Sequence, residues 1–178
     1  MKHKVIIITG QLAALKTTLA KRLAIDCSAI LISKDRIKEL LSEKIITNTR
    51  AENKHLSEAT FLLMKDQLVS IEPFVNLVII EANFKEHEYN QLITDLKRKD
   101  VAYKTFYLHG TFEVLYERYL KRLNTLHETH QSMGLISRSK FKASMVYYDK
   151  VYKKKDQVEA IDTTLFNESL YQKIRKRL

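Results

Sequence analysis

Apolar positions along the chain alternate between short β-branched runs and longer stretches with helical spacing. "VIIIT" (5–9) ends directly before Gly10 and reads as a parallel strand buried on both faces. From Thr17 to Ile25, Leu19, Ala20 and Leu23 share one helical face, while Lys21 and Arg22 occupy the other. The same alternation predicts strands over "AILIS" (29–33), "NLVIIEAN" (76–83), "TFYLH" (105–109) and "VEAID" (158–162). Helices are predicted over 34–46, 57–72, 86–99, 112–126, from about Arg138 onward, and over 167–177. In the 57–72 helix, Phe61, Leu62, Met64, Leu68 and Val69 fall at helical spacing, and Pro73 lies just past its end. The polar stretches "TNTRAEN" (47–53) and "HETHQSMGLIS" (127–137) are expected to be loops. Strands alternating with helices predict an α/β fold, a parallel sheet with helices on both faces.

Composition narrows the class. A chain of 178 residues is expected to form one domain, 1–178, around a sizeable core. One Pro and three Gly argue against a turn-rich all-β chain, a collagen-like repeat or long linkers. The single Cys27 cannot form an intrachain disulfide, which points to a reducing compartment, and it is expected to be a small buried apolar residue. No stretch nears the roughly 20 apolar residues of a membrane span, and the run after "MKHK" is too short for a signal peptide. A cytoplasmic location with no membrane partner is expected.

The net charge of +10 is concentrated in the second half, where residues 97–178 hold 18 Lys and Arg against 9 Asp and Glu. Such an excess suits an anionic partner: nucleotide phosphates, nucleic acid or an acidic substrate. Its members are scattered over Lys97 to Lys99, Lys153 to Lys155 and Lys173 to Arg177, which does not favour one track for a nucleic-acid backbone.

The chemistry concentrates in "GQLAALKTT", Gly10 to Thr18, placed between the first strand and the first helix. This order is that of a phosphate-binding P-loop, in which backbone N–H groups and a helix N-terminus surround an anion. Gly10, Gln11, Leu12, Ala13, Ala14 and Leu15 would form the cradle. Lys16 would neutralise the β- and γ-phosphates, Thr17 would hold Mg²⁺ and Thr18 would contact the α-phosphate. Leu15 stands where the motif calls for glycine, and a left-handed leucine costs on the order of 1–2 kcal/mol. Strain confined to the ligand-bound loop would weaken ATP binding roughly five- to thirtyfold. Asp35, at the exit of the second strand, faces the crevice expected at the carboxyl ends of parallel strands, and is also a candidate cap for a helix over 36–46.

The segments "GQLAALKTTLAKRLA", "ILISKDRIKELL", "LVIIEANF", "YLHGTFEVLYERYLKR" and "AIDTT" together resemble the small P-loop kinases of the adenylate kinase-like group. The closest likeness is to single-domain AAA-like kinases related to polynucleotide kinase, zeta toxin and chloramphenicol phosphotransferase, and it covers nearly the whole chain. It implies a P-loop NTPase fold with a five-stranded sheet in the order 2-3-1-4-5, an acceptor region near 36–72 and a lid near 123–140. ATP and Mg²⁺ are the implied cofactors, and transfer to a hydroxyl group is the implied reaction. The family's Asp-x-x-Arg reads here Asp35-Arg36-Ile37-Lys38, which makes Asp35 the general base and Arg36 and Lys38 acceptor contacts. Glu81, before Asn83-Phe84, would serve the metal, and Asn83 the acceptor. Arg118 and Arg122, with Arg138 after the lid, match the family's lid arginines. Arg122 would pack on the adenine, and Arg118 and Arg138 would stabilise the transferring phosphoryl group. Asp162, Thr163 and Thr164 match its base-binding turn.

Three functions stay open on these residues: a kinase for a small molecule or nucleotide, a non-catalytic nucleotide-binding protein, and a kinase for nucleic-acid 5′-hydroxyls. The region 36–72 carries six basic and six acidic residues, a poor surface for following a phosphate backbone. His127 and His130, flanking Glu128, lack the spacing and third ligand of a zinc site. Tyr147, Tyr148 and Tyr152 are read as the packing face of an amphipathic helix rather than a base-stacking platform.

Overall fold

A computed structural model describes residues 4–123 and 135–178. Its centre is β1 (Val5–Gly10), which pairs in parallel with β3 (Val78–Glu81) on one side and β4 (Tyr103–His109) on the other. β2 (Ile30–Ser33) extends the sheet beyond β3, and β5 (Val158–Asp162) extends it beyond β4. The order β2-β3-β1-β4-β5 is the one the resemblance implies. The chain fills one half of the sheet before crossing β1 to fill the other, so the loop after β1 lies at the topological switch.

Seven α-helices follow among the described residues: α1 (Lys16–Asp26), α2 (Lys34–Ser42), α3 (Arg50–Ile71), α4 (Glu86–Arg98), α5 (Phe112–Arg122), α6 (Arg138–Tyr152) and α7 (Glu168–Arg175). Period-two alternation in β1 divides the core between the two faces of the sheet. Ile6 and Ile8 pack with Leu19 and Leu23 of α1, Leu115 of α5, Phe141 of α6 and Ile174 of α7. Val5 and Ile7 pack with Phe61, Met64 and Leu68 of α3, Leu92 of α4 and Tyr152 of α6. Each such side chain contributes about 1.5–3 kcal/mol on full burial. α6 joins both cores, so its placement is tied to both faces of the sheet.

Several elements differ from expectation. α3 begins at Arg50, inside the stretch expected to be a loop, because Thr49 caps it. The Thr49 hydroxyl accepts from Glu52 N–H at 3.2 Å, and the Glu52 carboxylate accepts from Thr49 N–H at 2.9 Å. This reciprocal capping box is written in "TRAE", but the first turns are largely exposed, so apolar periodicity does not register them. α2 stops at Ser42 rather than 46, and Ile46 is left 81% exposed because no core lies against it. Cys27 is half-buried at the edge of one core rather than within it. The end of the expected 112–126 helix, His127, Glu128 and His130, and most of the 123–140 lid lie outside the described residues. No helix among the described residues is long and apolar enough to cross a membrane.

Candidate active site

The five parallel strands end in Gly10, Ser33, Glu81, His109 and Asp162, and four of these positions carry polar side chains along one edge of the sheet. Gly10 makes the loop geometry attainable: its φ is 146°, and an added Cβ would lie 2.1 Å from the Leu108 carbonyl oxygen of the neighbouring strand. No other residue fits there.

Beyond it, Ala13 and Leu15 both adopt left-handed backbone, with φ of 61° and 63°. Leu15 is the N-cap of α1, and its carbonyl accepts the Leu19 N–H at 3.0 Å. The leucine therefore takes the conformation for which the motif uses glycine. It does so within the fold itself, so the cost of about 1–2 kcal/mol falls on stability rather than on ligand binding. The expected affinity penalty required strain confined to the bound loop, and that condition is not met. α1 has no acidic residue in its first turn and no side-chain cap, so its N-terminal N–H groups and partial positive charge remain for an anion.

Lys16, the first residue of α1, is buried and donates from Nζ to the Gln11 carbonyl at 2.9 Å. Burial lowers its pKa to about 8; Glu81 and Asp35 pull it back up, and Arg122 pushes it down. Glu81, closing β3, is 1% exposed. Burial raises its pKa, with Asp35 adding to the effect and Lys16, Ser33 and Thr17 opposing it. Its Oε2 accepts from Ser33 Oγ at 3.0 Å, whereas its buried Oε1 has no hydrogen-bond partner. An orphaned carboxylate oxygen in the interior is costly, and a cation is its natural complement.

No cluster of three or more His, Cys, Asp or Glu among the described residues could hold a metal by itself. Glu81 with the Thr17 hydroxyl instead fits Mg²⁺ as phosphate-binding sites hold it, with few protein ligands and with phosphate and water oxygens completing the shell.

Asp35 stands exposed in the first turn of α2, within electrostatic reach of Lys16, Glu81 and Lys38. It is not the helix cap: that position belongs to Ser33, whose hydroxyl is committed to Glu81. Lys38 is half-buried and bonded to Asn53 Oδ1 of α3; burial lowers its pKa and Asp35 raises it. Arg36 is exposed and turned toward Glu39 at 3.7 Å, so the structure gives Lys38, not Arg36, the inward position. Asn83 places Oδ1 in the interior without a hydrogen-bond partner.

The three arginines are divided. Arg122 lies close enough to Lys16 to lower its pKa. Arg118 spends its fork on the turn after β5, donating to the Thr163 and Thr164 carbonyls at 2.9 and 3.2 Å. That turn is further fixed by Asp162 Oδ1, which accepts from Thr164 N–H at 2.8 Å, and by Thr163, which donates to the His109 carbonyl. Arg138 lies over the rings of Phe112 and Tyr116, 4.8 and 5.0 Å from their centroids. Tyr152 is fully buried and stacked on Tyr107, in keeping with a packing role, while Tyr147 remains 44% exposed.

Two interactions near the site have no signature in the sequence. Lys34 and Glu88 form a buried ion pair at 2.5 Å joining α2 to α4. Asp149 of α6 accepts from both the Gln11 side chain and the Tyr107 phenol. Charged residues on amphipathic segments read as solvent-facing until the partner element is in place.

No protein-family model matches the chain, and a search of curated proteins finds no match. Solved structures do match. A putative kinase from Chloroflexus aurantiacus superposes with a TM-score of 0.76 at 19% identity, over 99% of this chain and 96% of that one. Shikimate kinase from Bacteroides thetaiotaomicron gives 0.61 at 18% identity, over 98% and 95%. Deoxyadenosine kinase from M. mycoides, solved with bound dATP, gives 0.61 at 13% identity, over 97% and 98%. The chain has the α/β P-loop fold of these kinases.

Proposed function

We propose that the protein is an ATP- and Mg²⁺-dependent phosphotransferase acting on a hydroxyl group of a small molecule or nucleotide. The observation that carries this reading is the meeting of three charges at the ends of β1, β2 and β3. They are a buried Lys16 ammonium, a buried Glu81 carboxylate with one oxygen lacking a donor, and an exposed Asp35 carboxylate. One binds phosphate, one suits a metal and one is free for a proton.

In this reading the loop N–H groups and Lys16 hold the β- and γ-phosphates, and Thr18 the α-phosphate. Thr17 and Glu81 Oε1 hold Mg²⁺, which supplies charge neutralisation between the phosphates. Asp35 takes the proton from the acceptor hydroxyl, and Lys38 and Asn83 orient the acceptor. Arg122 packs on the base beside the Asp162–Thr163 turn, and Arg138 meets the charge of the transferring group. Catalysis is then positioning plus electrostatic stabilisation. Kinship with polynucleotide kinase, zeta toxin and chloramphenicol phosphotransferase belongs to the same proposal and rests on the motifs alone. The even charge balance of 36–72 favours a small acceptor over a nucleic acid. The left-handed backbone of Leu15, the one the motif asks of its glycine, supports a working loop over a degenerate one.

The test is a thermal shift with ATP·Mg²⁺. Saturation a hundredfold above the dissociation constant stabilises by about 2.7 kcal/mol. The shift should vanish in Lys16→Ala, and its absence from the native protein at millimolar nucleotide overturns the proposal.

A further inference from the structure

The loop between Gly10 and Lys16 reads Gln-Leu-Ala-Ala-Leu, so Gln11 is its one side chain able to form hydrogen bonds. Gln11 is buried, and every polar atom it has is engaged. Its N–H donates to the Leu108 carbonyl at 2.9 Å, and its carbonyl accepts from Lys16 Nζ at 2.9 Å and from Ala14 N–H at 3.3 Å. Oε1 accepts from Gly110 N–H at 3.1 Å. Nε2 donates to Asp149 Oδ1 at 3.0 Å and to the Met145 carbonyl at 3.4 Å, both on α6.

The same Asp149 oxygen accepts from the Tyr107 phenol at 2.7 Å, and the other pairs with Lys153 Nζ at 2.9 Å. Burial and Asp149 push the Tyr107 phenol well above its ordinary range, so it stays a donor. Bonds from neutral donors to a carboxylate are roughly twice as strong as neutral pairs.

Non-glycine residues in the left-handed region persist only where the surroundings over-determine them. This loop has two, Ala13 and Leu15, and one polar side chain to hold it. We propose that Asp149 is a positioning residue for the phosphate loop: through Gln11, it keeps the glycine-poor backbone in the shape that receives nucleotide phosphates. Because Asp149 belongs to the helix that begins with Arg138, the loop and that arginine share one support. The proposal rests on the nucleotide-binding reading above.

The experiment is a double-mutant cycle in ATP·Mg²⁺ affinity, measured by calorimetry on the full chain. Leu15→Gly alone supplies the reference affinity against which the double variant is read. Asp149→Ala lets Leu15 leave the left-handed region, so binding must restore it, and affinity should fall roughly five- to thirtyfold. Adding Leu15→Gly to Asp149→Ala should recover most of that loss, and Asp149→Asn, whose Oδ1 still accepts from Gln11 and Tyr107, should keep native affinity. A general structural defect would lower thermal stability along with affinity, so the unfolding of each variant is read beside its binding. An additive cycle, or no loss in Asp149→Ala, overturns the proposal. Should Asp149→Ala fail to fold, Gln11→Met takes its place in the same cycle.

Hydrogen exchange over 11–16 without nucleotide decides the latch even where the native protein binds no ATP, a result that would sink the function alone. Faster exchange in Asp149→Ala (or Gln11→Met) than in Asp149→Asn supports the latch, and equal exchange overturns it.

Discussion

Ser33 and Glu81 are register partners on β2 and β3, and the serine hydroxyl donates to Glu81 Oε2 at 3.0 Å, which leaves Oε1 buried without a donor. The pairing orients a carboxylate whose charge the fold itself only half satisfies. Glu81→Gln keeps the shape and an acceptor for Ser33 while removing that buried charge. Thermal stability at neutral pH should be unchanged or higher, and the Mg²⁺ dependence of ATP binding should be lost. Calorimetry with and without Mg²⁺ checks this; undiminished Mg²⁺ dependence in the variant would remove Glu81 from the metal site.

Leu15→Gly relieves a left-handed leucine worth about 1–2 kcal/mol but frees the unfolded chain by about 0.4–1 kcal/mol. Unfolding should therefore show a net gain of between about 0 and 1.6 kcal/mol, with ATP affinity nearly unchanged. A tenfold tightening without any gain in stability would place the strain in the bound loop instead.

Lys16 titrates near 8 in the folded chain against an ordinary value of 10.5. Between those values the unfolded chain binds more protons, so this group makes stability rise with pH across that window. ATP affinity should move the opposite way, falling as pH climbs through 8 and the ammonium is lost. Dissociation constants at pH 7 and pH 9 measure the slope, which should be absent in Lys16→Arg, whose charge persists across that range.

Arg118 is bound to two backbone carbonyls, and lysine cannot reproduce that fork. Arg118→Lys should lower stability by about 1.5 kcal/mol, the scale of a charged hydrogen bond. A variant with native thermal stability but collapsed phosphoryl transfer would show that the arginine serves the phosphates.

Asp35→Asn should leave ATP affinity near native and abolish transfer to an acceptor, because the residue is exposed at the exit of β2 rather than within the loop. Loss of ATP binding in this variant would make it part of the nucleotide site.

How far the sequence reaches depends on whether a feature is local. The β1–loop–α1 unit is legible because its β-branched run, its glycine and its Lys16-Thr17 pair are contiguous. The start of α3 was legible too, in the Thr49–Glu52 capping box, but only to a search for caps, since its first turns have little apolar pattern to show. Leu15 illustrates the limit: the sequence shows that a leucine replaces glycine, and only the backbone shows that it adopts glycine's conformation.

By itself, the sequence determined the element types, the α/β class and the strands that carry Glu81 and Asp162, because patterning along a strand or helix is set within a few residues. Only the tertiary structure decided which polar side chains meet. Gln11 and Asp149 are 138 residues apart, Lys34 and Glu88 54, and Arg118 and Thr163 45. A polar residue on an amphipathic helix has the same local signature whether water or another element faces it, and packing onto the sheet makes that choice.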